Sequence, residues 1–492
     1  MSLRRKSLDG FLWAAVEKFG NRFLTVGIFF TLANILDTEA FGLVALVNSF
    51  LAFALIFIEQ GFTMAIVQRK ELDELDLNSA FWGSLVLGII FCLACFFGAP
   101  FIADYYEDQR LIPLLQVMSF SFPIGVFAGV QNALFQRELE FKVLAMRQLV
   151  ATFIGGAVGI WAALNDYGVW SLIIYFLVTE VIWVALLYIR CEWKPGWGFS
   201  WAKYKSLFAF GANVMGSKFL FFSDSYFINL MIGKFLGMEM LGIYSFGEKI
   251  FVSLKDLLVN TISRVTLPIF AKLQENKKEL SETFSVMVGK VSMLTFPLCA
   301  GFAAISEDIT FLFFDPQWEP AIPVMIILSI ATIFTLIPSY CNDLFLGVGR
   351  AFLSFNFNLV NSIVNLGLFF AFVQFGIVGV AVGFLLRMVV FSPIGLYLVS
   401  RLIPLNVPKL TSELMKGLLA SALVFGVAFG LKYVQTDINY FWMGLKIVAG
   451  GGVFIGALAF LQPETFEEVK RIFFEKVLGR EKLDKKREIN SI

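Results

Sequence analysis

The chain has 492 residues, of which 58% are hydrophobic and only 16% are charged, and its mean hydropathy is +0.78. A soluble domain carries about a quarter charged residues, so a water-soluble fold could not bury this much apolar surface. The sequence contains no histidine, which excludes a histidine catalytic triad, a histidine metal site and a histidine proton relay. We therefore expect an all-α integral membrane protein without catalytic residues, metal or cofactor.

Apolar runs long enough to cross a membrane recur along the whole chain. A membrane helix needs about 20 mostly apolar residues, and we find fourteen such runs. They cover residues 10–35, 41–66, 78–102, 111–135, 143–164, 168–189, 206–235, 241–270, 284–305, 320–345, 351–373, 377–399, 413–433 and 441–461. The seventh and eighth runs contain the most polar residues.

Lysine and arginine lie on alternate sides of these predicted spans. If the N-terminus is cytoplasmic, most of the 39 Lys and Arg residues fall in the inner connections. The outer connections then hold only Arg110, with Lys234 and Lys432 at helix ends. Removing one span would break this alternation from that point onward. We therefore predict fourteen helices with both termini in the cytoplasm.

The first predicted span holds three charges where a lipid-facing helix would be apolar. Its stretch "AAVEKFGNRFLTVG", residues 14–27, carries Glu17, Lys18 and Arg22. Lys18 and Arg22 are four residues apart and share one helix face, and Glu17 is offset from Lys18 by about 100°. Because a charge at the bilayer centre costs about 2.5 to 3.5 kcal/mol on insertion scales, we expect this face to meet protein or water.

The sequence also repeats itself weakly at an offset of 200 residues. The matched pairs are Lys18 with Lys218, Leu36 with Leu236, Glu39 with Glu239, and Gly42 with Gly242. "NALF" at residues 132–135 matches "NDLF" at residues 342–345 at a slightly longer offset of 210 residues. Because six spans are an even number, both repeats would enter the membrane from the same side. This predicts parallel repeats related by a pseudo-two-fold axis along the membrane normal.

The repeat predicts two six-helix lobes followed by two extra helices. We place the N-terminal lobe at residues 1–200, the C-terminal lobe at 201–402 and the extra helices at 403–462. Residues 463–492 are predicted to form a basic, amphipathic tail on the cytoplasmic membrane surface. Two lobes enclose a cavity that rocking exposes to each side in turn, which favours a transporter.

Further charges lie near mid-depth in several spans. They are Glu59, Glu180, Lys218, Asp224, Glu248, Lys249, Lys255, Asp256 and Arg387. Most belong to spans two, seven and eight, which would line the cavity, and bases from both lobes would suit an anion such as phosphate. The alternative is that these charges form structural ion pairs, because together with Glu17, Lys18 and Arg22 they comprise six acids and six bases. Lys446 lies near a span end, and we expect it to extend toward the membrane interface.

One long stretch resembles a known family. Residues 133–173, "ALFQRELEFKVLAMRQLVATFIGGAVGIWAALNDYGVWSLI", resemble the fourth-to-sixth helix signature of the bacterial polysaccharide transporter family. These proteins are Wzx-type lipid-linked oligosaccharide flippases, colanic acid exporters among them, within the MOP exporter superfamily. "AAVEKFGNRFLTVG" and "LDTEAFGLVAL" resemble that family's first hairpin. The resemblance implies a MATE-like, two-lobed, fourteen-helix protein of the bacterial inner membrane.

The resemblance also implies a function. Such proteins move undecaprenyl-diphosphate-linked oligosaccharide from the cytoplasmic to the periplasmic leaflet for exopolysaccharide or lipopolysaccharide assembly, so we expect a transporter and not an enzyme. The residues predicted to attract the diphosphate and glycan are Lys18, Arg22, Lys218, Lys249 and Lys255. The acids predicted to orient those bases, or to carry a coupling proton or sodium ion, are Glu17, Glu59, Glu180, Asp224 and Glu248.

The partners expected from this reading are the lipid-linked oligosaccharide, membrane lipids and polysaccharide assembly proteins, with no nucleic acid. We expect a monomer. The main alternative is a MATE-like exporter of drugs or organic cations, against which the basic residues count. A membrane glycan polymerase or ligase is the third reading, and the short outer connection "EDITFLFFDPQWEP" leaves little room for its catalytic loop.

Overall fold

A computed structural model of the protein describes residues 3–59, 61–69, 71–255, 261–435 and 437–472. Side chains are described throughout these ranges except at residues 3–12, 15, 210, 212–214, 217–218, 220–221, 223–225, 250–255, 261–265 and 472. The described residues form eighteen α-helices, and they contain no β-strand. The predicted all-α class is therefore confirmed.

The chain divides into two compact units, and the first contains residues 1–246 with 373–377. Its helices are α1 (Leu3–Ala33), α2 (Thr38–Glu59), α3 (Phe62–Gln68), α4 (Glu74–Tyr106), α5 (Leu111–Ser119), α6 (Ser121–Arg137), α7 (Phe141–Leu164), α8 (Trp170–Arg190), α9 (Trp201–Ser225) and the larger part of α10 (Phe227–Lys255). This unit thus includes α9 and the start of α10, which follow the six spans of the predicted N-terminal lobe.

The second unit contains residues 247–372 and 378–492. Its helices are the end of α10, α11 (Thr261–Leu273), α12 (Lys277–Phe313), α13 (Ile322–Gly347), α14 (Ala351–Phe372), α15 (Gly376–Leu402), α16 (Val407–Lys432), α17 (Tyr440–Leu461) and α18 (Pro463–Ile472). An aromatic and aliphatic core that includes Phe270, Phe284 and Phe345 joins helices α11 to α16. Of the predicted amphipathic tail, only α18 lies within the described residues.

Eleven segments of the described chain are long and apolar enough to cross a membrane. One of them, Ala351–Leu402, is 52 residues long and covers both α14 and α15. Helices α1 and α9, which carry charges within their predicted spans, are not among the eleven. The protein is therefore a multi-pass membrane protein, and the number fourteen stays a prediction.

The predicted turn between spans seven and eight corresponds to a break inside α10. Gly237 has φ 87° and ψ 173°, a backbone conformation open to glycine and strained for other residues. This break lies between the predicted spans 206–235 and 241–270, and at the 200-residue offset it matches Asp37 in the turn between α1 and α2. The segments before and after Gly237 are therefore separate helical pieces joined at this glycine.

Glycines allow helices of the first unit to pack at short range. A Cβ atom added at Gly155 of α7 would lie 2.0 Å from Thr179 Oγ1 of α8, and one added at Gly159 would lie 2.6 Å from Tyr175 Cβ. Neither distance is compatible with a real side chain. This spacing of small residues thus brings the two helices together, as in other membrane bundles.

Candidate functional site

Helix α1 presents two neighbouring faces, and one of them packs against α7. The Thr152 hydroxyl of α7 donates a 2.6 Å hydrogen bond to Asn21 Oδ1, and a Cβ atom added at Gly156 would lie 2.2 Å from Ile28 Cδ1. Glu17 is four residues before Asn21 and therefore lies on this face. Lys18 and Arg22 are offset by one residue and share the adjacent face, both half-buried.

An arginine that the sequence analysis did not single out lies near Glu17. Arg147 of α7 attracts the Glu17 carboxylate and is only 6% exposed. Its guanidinium carbon lies 4.2 Å from the centre of the Trp183 ring of α8, and Nη1 is 3.5 Å from Asn132 Oδ1 of α6. Arg147 of α7 thus contacts α6 and α8, and its charge acts on Glu17 of α1. Arg147 stands only four residues into the predicted span 143–164, so its place in the sequence did not distinguish it from a residue near a span end.

Glu180 is a second acid inside the first unit. Its Oε2 atom is buried and has no hydrogen-bond partner among the described residues. Oε1 lies where a Cβ atom on Gly125 of α6 would be only 2.9 Å away, so the glycine leaves room for the carboxyl group. Gln131 of α6 is fully buried, and neither of its side-chain polar atoms has a partner within the described chain. Burying such groups is costly, which marks this interior as a candidate for bound water or an ion.

The other predicted site residues lie in several helices. Glu59 is exposed at the end of α2, whereas Glu248 is half-buried and Lys249 exposed on the part of α10 that belongs to the second unit. The side chains of Lys218, Asp224 and Lys255 lie outside the described part of the structure. The structure therefore brings Glu17 and Glu180 into the same bundle as Lys18 and Arg22.

A charged network joins helix ends on the side predicted to be cytoplasmic. Arg69 donates to Asp76 at 2.8 Å and to Ser206 Oγ at 2.5 Å. Lys203 of α9 pairs with Asp73 and lies 3.4 Å from Asp76. Arg137, at the end of α6, donates to the Ile66 carbonyl at 2.9 Å. These groups border a cavity of about 680 Å³ and link the α3–α4 connection to the first turn of α9.

Asp73 performs two tasks in this network. It caps α4 by accepting from the Asp76 amide at 2.8 Å, while the Asp76 side chain accepts from the Asp73 amide. The hydrogen bond from Lys203, with the help of the Asp76 amide, lowers the pKa of the Asp73 carboxyl to about 2. Asp73 therefore stays ionised throughout the physiological range.

Another set of ion pairs lies at the opposite end of the first unit, predicted to be periplasmic. Arg110 pairs with Glu39 of α2 at 2.7 Å and with Asp108 at 2.8 Å. Lys234 of α10 pairs with Glu107 at 3.0 Å. One set of ion pairs thus lies at the start of α4 and the other at its end, as expected if these ends face opposite sides of the membrane. The hydrogen bonds from Arg110 lower the pKa of the Asp108 carboxyl.

The second unit contains a buried ion pair that corrects one expectation. Lys446 of α17 bonds both carboxylate oxygens of Asp308 of α12, at 2.9 and 2.8 Å. The two side chains are 4% and 1% exposed. Lys446 is therefore buried against a partner instead of being exposed, and the pair borders a cavity of about 150 Å³ shared with Glu307 and Lys432. In the same unit Thr266 donates a 2.6 Å hydrogen bond to Asp343.

Comparison with known proteins shows the family to which this chain belongs. A family model described as "Polysaccharide biosynthesis protein" matches residues 31–323, more than half of the chain. The chain belongs to this family. The resemblance found in residues 133–173 is thereby confirmed, since the match includes that stretch. The protein is a membrane protein of the polysaccharide biosynthesis family.

Individual family relatives are similar over most of their length. The chain is 26% identical to the teichuronic acid biosynthesis protein TuaB of Bacillus subtilis, covering 94% of this chain and 95% of TuaB. It is 27% identical to the lipopolysaccharide biosynthesis protein WzxC of Escherichia coli, covering 79% and 80%. It is 25% identical to the succinoglycan biosynthesis transport protein ExoT of Rhizobium meliloti, covering 72% of each.

Two solved structures share the fold. The lipid II flippase MurJ in an inward closed conformation matches with a TM-score of 0.72 and 16% identity, covering 92% of this chain and 99% of that chain. A multidrug resistance MATE family transporter in an inward-facing conformation matches with a TM-score of 0.62 and 15% identity, covering 79% and 94%. The predicted MATE-like fold is therefore confirmed, while these identities carry no information about substrate.

Proposed function

We propose that this protein flips an undecaprenyl-diphosphate-linked oligosaccharide from the cytoplasmic to the periplasmic leaflet of the bacterial inner membrane. The observation that carries the proposal is the family match over residues 31–323, which includes the last three residues of α1 and the whole of α2 to α12. The relatives named above serve polysaccharide or lipopolysaccharide synthesis, and one is named as a transport protein. Alternating access by two helical bundles is the transport mechanism that suits this fold.

Lys18 and Arg22 of α1 are the basic residues that we assign to the diphosphate. Glu17 supports this assignment, because it faces α7 and its electrostatic partner is Arg147. Glu17 is thus directed toward α7 and away from the face of α1 that carries Lys18 and Arg22. Charge-assisted contacts with phosphate oxygens are stronger than neutral hydrogen bonds. The further predicted contacts, which remain part of the proposal, are Lys218, Lys249 and Lys255.

The acids divide into two proposed roles. Glu17 orients the basic face of α1 through its pairing with Arg147. Glu180 is the proposed carrier of a coupling proton or sodium ion, because its buried Oε2 atom has no hydrogen-bond partner among the described residues. The acids whose role is ion pairing or coupling are Glu59, Asp224 and Glu248.

We place the protein in the inner membrane as a monomer with both termini in the cytoplasm. Its proposed partners are the lipid-linked oligosaccharide, membrane lipids and the polysaccharide assembly proteins that receive the flipped substrate. In this arrangement the network around Asp73 and Lys203 lies on the cytoplasmic side. The protein itself performs transport and forms no covalent bond.

Gene deletion followed by lipid extraction tests the function. The strain lacking the protein should accumulate an undecaprenyl-diphosphate glycan whose sugar is protected from reagents added outside. The intact gene should remove this accumulation, and so should Lys18→Arg, which keeps the charge. A strain that accumulates no lipid-linked glycan but changes its tolerance to organic cations would contradict the proposal and support the MATE-like exporter.

A further inference from the structure

Helices α2 and α10 touch through their backbones at one pair of glycines. A Cβ atom added at Gly42 of α2 would lie 1.8 Å from the Met238 carbonyl oxygen, and one added at Gly242 of α10 would lie 1.7 Å from the Thr38 carbonyl oxygen. Each added Cβ would also lie 3.0 Å from the amide nitrogen of the other glycine. No side chain larger than hydrogen fits at either position.

The contact is reciprocal, and its members are the residues that the sequence repeat pairs. Thr38 stands 200 positions before Met238, and Gly42 stands 200 positions before Gly242. Thr38 faces Gly242 while Met238 faces Gly42, the pattern that a two-fold axis between the helices produces. Two independent observations, the sequence offset and the exchange of partners, thus identify this crossing as the meeting point of the two repeats.

The crossing lies at the end of the first unit that is predicted to face the periplasm. Arg110 ties the start of α2 to the α4–α5 turn through Glu39, at 2.7 Å. Lys234 ties the segment before Gly237 to the end of α4 through Glu107, at 3.0 Å. These ion pairs hold α2 and the first segment of α10 to the same neighbour. Residues 238–246, beyond Gly237, take part in neither ion pair.

We propose that the crossing of α2 and α10 is the outer gate of the transport pathway, and that Gly42 and Gly242 allow it to close. The inference rests on the proposed function, because a gate requires a transported substrate. In the closed state the backbones of α2 and α10 are in direct contact, which leaves no room for a large ligand to pass between them. Opening separates residues 238–246 from α2 by rotation at Gly237, and this segment continues into the second unit at Gly247.

Alanine at either glycine should hold the gate open. The added methyl group cannot occupy the closed crossing, so Gly42→Ala and Gly242→Ala shift the population toward separated helices. Gly27→Ala in α1 is the matched control, because no atom lies within 4 Å of its added Cβ. Leu241 of α10 lies within the segment 238–246, is fully buried and serves as a reporter of separation.

The measurement is labelling of Leu241→Cys from outside intact cells with a membrane-impermeant maleimide, after the five native cysteines have been replaced by alanine. We expect either alanine variant to raise the labelling rate by about tenfold, which corresponds to about 1.4 kcal/mol, and Gly27→Ala to leave it unchanged. Unchanged labelling in both gate variants, with normal amounts of protein in the membrane, would overturn the gate. The result does not depend on which substrate is carried.

A second test keeps both glycines and covers the case in which the alanine variants fail to insert. Glu39→Cys and Glu239→Cys flank the crossing, and a reducible thiol cross-linker can join them. Cross-linking should stop polymer export, and reduction should restore it, while each single cysteine variant treated in the same way continues to export. Export that continues in the cross-linked protein would contradict the gate even when the deletion experiment confirms the flippase.

Discussion

Lys446 Nζ bonds both carboxylate oxygens of Asp308, at 2.8 and 2.9 Å, in a buried ion pair of the second unit. The residues belong to α17 and α12, which are separated by 138 positions in the sequence. The pair therefore fastens one of the two helices beyond the predicted lobes to the second unit. A buried charge left without its partner is far more costly than the pair itself is favourable.

Lys446→Met should destabilise the protein strongly. Removing one partner of a buried pair costs about 3–5 kcal/mol, and the double variant Asp308→Leu/Lys446→Met should regain most of this loss. Lys432→Met is the control, since it removes an exposed pair with Glu307, and such pairs contribute about 0–1 kcal/mol. Thermal unfolding in detergent measures all three. Equal losses for Lys446→Met and Lys432→Met would contradict the role of the buried pair.

Glu17 and Arg147 should be energetically coupled. A double-mutant cycle with Glu17→Gln and Arg147→Met should give a coupling free energy of about 0.5–3 kcal/mol, as found for residues in one charged network. The same cycle with Glu17→Gln and Lys470→Met should be additive, because Lys470 lies on α18 in the other unit. Unfolding in detergent is the measurement. An additive result for Glu17 with Arg147 would show that the acid is oriented by another group.

Asp73→Asn should weaken the cytoplasmic network in a pH-dependent way. Asparagine still caps α4, so the variant isolates the loss of charge beside Lys203. The pKa of Asp73 is lowered to about 2, against about 3.9 for an unperturbed aspartate. The stabilisation by the ionised Asp73 carboxylate is therefore complete at pH values above the unperturbed aspartate pKa and is lost as the pH falls toward 2. The difference in Tm between wild type and variant should be constant from pH 8 to 5 and should shrink below about pH 4.

Glu71→Gln supplies the control for that titration, because Glu71 is an exposed acid on the same connection. It should leave Tm close to the wild-type value across the whole range. A Tm difference for Asp73→Asn that persists unchanged at pH 2 would mean that the charge of Asp73 does not act through Lys203.

The sequence predicts the architecture well because the membrane restricts what the backbone can do. The all-α class follows from apolar runs of span length. The sequence repeat locates Gly42 and Gly242 as equivalent positions, yet it contains no signal that these glycines touch each other. That contact depends on how two helices cross, which a single-chain pattern does not encode.

The sequence predicts the partners of buried charges less well than it predicts the architecture. Lys446 near a helix end has the same local sequence pattern whether it extends to the interface or bonds Asp308 inside the bundle. Arg147 stands only six residues into α7 and so resembles a residue near a span end. In both cases the partner is distant in the sequence, and only the packing of helices brings the charges together.

Reconstituted transport tests the central claim most directly. Purified protein in liposomes containing an undecaprenyl-diphosphate-linked oligosaccharide should move the glycan to the opposite leaflet, measured by its loss of reactivity toward an impermeant sugar-oxidising reagent. The variant Lys18→Ala/Arg22→Ala should move it at least about tenfold more slowly, since a lost charge-assisted hydrogen bond costs about 1.5–3 kcal/mol. Lys18→Arg should stay near the wild-type rate. Equal rates for the double alanine variant and the wild type would contradict the assignment of α1 to the diphosphate.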